Sequence, residues 1–214
     1  MPLPAVGRVL IVTSAGPIEV ASGDTNTLTR NESWLFSPPQ VESASDDDEV
    51  VIRVTCEGRM PCRSALTLTV MPGTEVVVIA TGGTVLATGL AGDVTIYDGY
   101  GDTVLGALSG SVKVVSDRGR VAGSGLSVSE LDVSTVSSEV ALSFTALPER
   151  VLVVTGREAT RIRLPEGDVV LAITSPEELQ NIEVEPTAGA SSALTIRSDG
   201  PVSITPPVDV APKD

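Results

Sequence analysis

Five glycines, Gly83, Gly92, Gly101, Gly110 and Gly119, fall nine residues apart in unbroken succession, and this spacing constrains the fold more than any other feature. Several open a unit of one form, a turn residue followed by alternating polar and apolar side chains. Gly92-Asp93-Val94-Thr95-Ile96 and Gly110-Ser111-Val112-Lys113-Val114 read this way, and Gly101-Asp102-Thr103-Val104-Leu105 opens similarly. Alternation over a few residues bounded by Gly marks a short strand with one buried face. No such strand buries its apolar face alone, but a stack of them in register shares one core. The spacing predicts an all-β fold, a β-solenoid (parallel β-helix-like) built from short Gly-bounded strands, with two units to a coil. A sandwich of evenly spaced hairpins is the rival architecture.

Beyond Gly119 the alternation persists while the glycines thin out, as in Leu131-Asp132-Val133, Val151-Leu152-Val153, Leu194-Thr195-Ile196 and Val202-Ser203-Ile204. Residues 176–181 fit one helical turn or a loop. Residues 1–80 look different and read as opening coils or an N-terminal β cap carrying a loop between Cys56 and Cys62. Val50–Val54 and Leu66–Val70 flank that loop as a hairpin-like pair. Trp34 and Phe36 share one strand face and read as a buried anchor of the cap, which would shield an open strand edge. Residues 81–205 form the repeat-built body and 206–214 a disordered tail, all one continuous domain.

Composition supports strands and limits chemistry. Aromatic residues are only 2% of the chain, so the core is aliphatic, and the abundant Val and Thr favour the pleated sheet. With no His, a Ser–His–Asp relay is impossible. The lysines are Lys113 and Lys213, and Lys113 alternates outward on its strand, unsuited to act as a buried base. Asp93 and Asp102 sit at equivalent turn positions, which the repeat itself explains, although paired carboxylates also serve glycoside chemistry. The chain reads as no enzyme. The Asp46–Glu49 cluster lacks the spacing that wraps calcium, and Gly82-Gly83 only begins a calcium-binding nonapeptide, so neither a metal nor a cofactor is expected.

The net charge of −14 disfavours nucleic acid and leaves cationic partners electrostatically easier. No stretch approaches the ~20 apolar residues of a membrane span, so any export or anchoring segment would lie outside this chain. Cys56 and Cys62 flank a turn-prone stretch. A disulfide, two free thiols and a half-filled metal site all remain open, and a disulfide would imply an oxidising compartment. Tyr97 and Tyr100, around Asp98-Gly99, are the candidate recognition surface.

The Gly-Asp-Val units resemble those of the DUF4097 putative-adhesin family of bacterial β-strand-repeat proteins. The order Trp34-Leu35-Phe36, then Cys56 and Cys62, then Leu66–Pro72, then Gly-opened repeats is similar to actinobacterial members. The resemblance runs from about residue 8 to 205 and implies a solenoid-like, often exported or membrane-anchored protein without catalytic residues. The expected function is non-enzymatic: an adhesin-like surface-display or binding domain of the bacterial cell envelope, outside the cytoplasm. Its partner would be a protein, peptide or carbohydrate at the cell surface. The alternatives are a self-assembling β-helical scaffold and an envelope-stress sensor that captures cationic peptides.

Overall fold

The computed structural model describes residues 1–207 except Ala15, Phe36, Asp47 and 57–61. Eighteen strands join one sheet. In chain order they are β1 (Arg8–Thr13), β2 (Ile18–Ser22), β3 (Thr27–Trp34), β4 (Gln40–Ser45), β5 (Glu49–Thr55) and β6 (Cys62–Val70). Then come β7 (Glu75–Gly82), β8 (Val85–Thr88), β9 (Val94–Tyr100), β10 (Thr103–Gly106), β11 (Ser111–Leu126) and β12 (Glu130–Phe144). The last six are β13 (Arg150–Thr155), β14 (Thr160–Arg163), β15 (Val169–Thr174), β16 (Gln180–Ile182), β17 (Ser192–Ser198) and β18 (Val202–Thr205). Glu177–Leu179 make a single 3-10 turn, and among the described residues no helix is long and apolar enough to cross a membrane.

The sheet curls back on itself so that two walls face each other across an aliphatic interior. One wall runs β4-β5-β1-β7-β9-β11-β12-β13-β17-β15. The other runs β3-β6-β2-β8-β10-β11-β12-β14-β18-β16. All pairs are parallel except those of β3 and β4, which lie antiparallel at one end. The side chains that alternate inward stack in register, Val9 on Val76, Val94, Val112, Leu131 and Val151, and all six are buried. That stack is the core the alternation requires: each strand adds one aliphatic rung, and only the neighbouring rungs exclude water from it.

The expectation of a repeating β-solenoid behind an N-terminal cap is corrected here. The sheet is a curled, nearly closed half-barrel rather than an open series of equal coils. Its strands do not succeed one another in chain order. The first lap, β1 and β2, is inserted between β5–β6 and β7–β8, and the last, β17 and β18, between β13–β14 and β15–β16. β1 and β2 therefore form an interior lap, while Pro2 bridges Thr27 of β3. The hairpin-like pairing of β5 with β6 is also replaced, since each pairs instead with an antiparallel strand and with the first lap. β11 and β12 run unbroken around the corner and belong to both walls, so they are not short Gly-bounded strands.

The glycine register has its own physical cause. From β7 to β11 successive laps are offset by eighteen residues, as in the bond between Arg120 and Asp102, so the nine-residue period marks the two corners of each lap. A Cβ on Gly101 would fall on the Gly83 carbonyl oxygen, and one on Gly119 on that of Gly101. Gly119 also has φ +127°, a conformation L side chains rarely adopt. Past that point β12 carries Ser138 through the corner as ordinary strand, opposite Gly119, and no glycine is needed.

Candidate functional site

On β9, Ile96 and Asp98 point into the core while Tyr97 points out and is 40% exposed. Parallel register places Ile79 of β7 on one side of Tyr97 and Val115 of β11 on the other. Val12 of β1 continues the row beyond Ile79; Ser134 of β12 and Val154 of β13 continue it beyond Val115. Adjacent strands lie about 4.8 Å apart, so these side chains form one continuous, mostly apolar row on the outer face of the wall. Ile79 is 41% exposed.

Three residues further along β9, at the corner toward β10, the register brings a second set of residues to the surface. Tyr100, 59% exposed, lies in register between Gly82 and Arg118. The Arg118 guanidinium sits over the Tyr100 ring, 5.7 Å from its centroid. Such a cation–π contact is worth about 0.5–1 kcal/mol at an exposed site and holds the ring upright. Gly82 on the other side contributes no side chain, so the ring is covered on one side only. Tyr97 and Tyr100 are thus both exposed on β9, with Ile79 and Val115 beside the first and Arg118 beside the second. Those three residues are not picked out by residue type, but they lie at the eighteen-residue offsets from the tyrosines that twice the glycine period supplies.

The remaining candidates sit elsewhere. The Asp93 carboxylate accepts the Ser111 backbone N–H at 3.1 Å, and Asp102 accepts that of Arg120 at 3.0 Å. Both carboxylates clip one lap to the next, a structural use of the turn position. Asp46 Oδ1 accepts the backbone N–H groups of Asp48 and Glu49 within its own loop. No metal-binding group of acidic or Cys residues occurs among the described residues. Cys56 and Cys62 are joined in a disulfide, with Cα atoms 5.8 Å apart. Trp34, expected as a buried anchor, is 49% exposed, because Met1 and Pro2 pair only with the start of β3, around Thr27 and Leu28, and Trp34 at its far end has β6 on one side alone. Its expected companion Phe36, and Lys213, lie outside the described residues. Charges elsewhere pair across strands, Arg8 with Glu49 and Glu75, Arg150 with Glu130, and Arg161 with Glu139.

The fold of this chain also occurs in a solved bacterial protein. A "putative adhesin" from Bacteroides fragilis superposes with a TM-score of 0.50 at 11% identity, over 97% of this chain and 94% of that one. A "putative adhesin" from Parabacteroides distasonis gives a TM-score of 0.41 at 10% identity, covering 97% and 94%. A "putative cell adhesion protein" from Clostridium sporogenes gives 0.34 at 9%, covering 95% and 94%. The Bacteroides protein shares the fold. No family model and no curated protein matches the chain.

Proposed function

We propose that this protein is a non-enzymatic, adhesin-like binding domain of a bacterial cell envelope, displayed outside the cytoplasm and akin to the DUF4097 type. It engages a surface partner through the outer row that carries Tyr97 and through Tyr100 at the adjacent corner of β9. The observation that carries this reading is the in-register row of Ile79, Tyr97 and Val115, with Tyr100 beside Arg118 at the adjacent corner. Exposed aromatic and apolar side chains held rigidly on a sheet make contact area at little entropic cost. The fold shared with a protein described as a putative adhesin supports the same reading. The Cys56–Cys62 disulfide fits an oxidising compartment. The carboxylates that could have suggested glycoside chemistry, Asp93 and Asp102, are engaged with backbone N–H groups.

Fluorescent beads coated with the domain test the proposal directly. They should adhere to bacterial cells or to immobilised glycans above beads coated with albumin, and Tyr97→Ala with Tyr100→Ala should abolish the difference. Adhesion unchanged by the double substitution, or no better than albumin, would refute it.

A further inference from the structure

Beneath this surface lies a carboxyl group that the strand alternation forces inward. Asp98, 3% exposed, stands in register between Ala80 of β7 and Ser116 of β11. The Thr103 hydroxyl donates to its Oδ2 at 3.5 Å, a long bond, and the Tyr100 backbone N–H also donates to the carboxylate. Its Oδ1 is buried without a hydrogen-bond partner among the described residues. The turn above it is tightly built: a Cβ on Gly101 would lie 3.1 Å from Asp98 Oδ2, and one on Gly99 2.9 Å from the Thr81 carbonyl oxygen.

We propose that Asp98 is a protonation switch for the Tyr97–Tyr100 turn: the neutral carboxyl keeps the turn closed with both tyrosines in place, and the carboxylate loosens it. The physical reason is the orphaned Oδ1. A neutral carboxyl leaves a weak acceptor buried, whereas a carboxylate leaves a charge without its full set of donors, a much larger cost that water entering the turn relieves. The charged groups around it reinforce the effect. Asp102 in the following turn and Asp117 on β11 both disfavour a further negative charge. Arg118 is the neighbouring cation, and it lies over the Tyr100 ring. β7 presents Ala80 and Thr81, and β11 presents Ser116 to Asp98, none of them charged. Burial first, then the two aspartates, push the Asp98 carboxyl up to about 6 against the pull of Thr103 and Tyr100. The switch thus falls between mildly acidic and neutral conditions. Its effect on adhesion rests on the recognition surface proposed above; its effect on the turn does not.

Carboxyl-carbon NMR of the whole chain, with amide hydrogen exchange of residues 99–103 corrected for intrinsic rates, tests the inference from about pH 4.5 to 7.5. Asp98 should titrate well above an ordinary aspartate. Exchange at these amides should speed up as pH rises toward that midpoint, by up to about tenfold per pH unit where opening is fully coupled, and level off above it. Asp98→Asn should remove the pH dependence, and Thr103→Val should raise the midpoint. An ordinary titration of Asp98, or corrected exchange that ignores pH, would overturn the switch. In the bead assay, adhesion stronger at about pH 5 than at 7.5, and levelled by Asp98→Asn, extends it to binding. Beads that fail to adhere at any pH, while the turn still switches, would remove the binding proposal alone. Adhesion indifferent to pH while the turn switches would overturn the link between them.

Discussion

The carboxylate of Asp102 accepts the backbone N–H of Arg120 at 3.0 Å, fastening the corner of one lap to the start of the next. Asp93 makes the matching bond to Ser111 at the opposite corner. Each Asp→Ala substitution should cost about 1 kcal/mol, the net worth of one such bond. The two sites are at different corners without a shared partner, so the double variant should lose about the sum. Urea denaturation measures both.

Two glycines with different surroundings separate steric need from conformational preference. Gly101→Ala forces a methyl group against the Gly83 carbonyl oxygen and should cost more than about 3 kcal/mol or prevent folding. Gly73→Ala meets no atom within 4 Å and bears only its φ of +82°, so about 1 kcal/mol is expected. Thermal unfolding of both variants decides whether close approach, rather than turn geometry, sets the register.

The intercalated last lap makes a further contrast. Ile196 of β17 is fully buried, with β13 on one side and β15 on the other, whereas Ile173 of β15 is only partly buried on an edge strand. Ile196→Ala should cost about 3–4 kcal/mol and Ile173→Ala about 1–2 kcal/mol. Equal losses in urea melts would contradict the observed strand order.

Stability should depend on pH through Asp98. Its carboxyl is raised to about 6 in the folded chain, above its unfolded value near 3.8, so the native state binds the proton more tightly. This contribution is whole below the unfolded value and fades as pH rises through about 6. The loss is at most about 3 kcal/mol, the full linkage for such a shift, and water reaching the turn makes it smaller. Asp98→Asn should be insensitive to this window, so its advantage over the wild type should grow between about pH 4 and 6 and then level off, as equilibrium unfolding at each pH can show.

Reduction of the Cys56–Cys62 disulfide, whose partners are six residues apart, should cost about 2 kcal/mol by releasing a short loop in the unfolded chain. The effect should stay near the β5–β6 end. Hydrogen exchange should show amides of β3 and β6 less protected and those of β9 and β11 unchanged.

Much of this molecule is legible along the chain. The strand positions from Val76 to Val121 follow from alternation, because one face of each strand must be dry. The glycine period marks the corners, because stacked carbonyls leave no room for a Cβ. Doubling that period leads from Tyr97 to Ile79 and Val115, and from Tyr100 to Arg118. The exposure of Trp34 is not legible in this way, because it depends on the far end of β3 having no neighbour beyond β6, and a strand's own residues do not say which edge stays open.

The amino-acid sequence by itself determined that this chain is all-β, which side chains face inward, and where the chain must turn. These are local matters, settled by the period of two and by the space around each Cα. Only the tertiary structure decided that the sheet curls nearly closed, that the first and last laps slip between others, and that Asp98 lies orphaned under a tyrosine turn. Each depends on which distant strands become neighbours. Many aliphatic strands of similar pattern satisfy the same alternation, so the choice among them falls to the free energy of the whole packed interior.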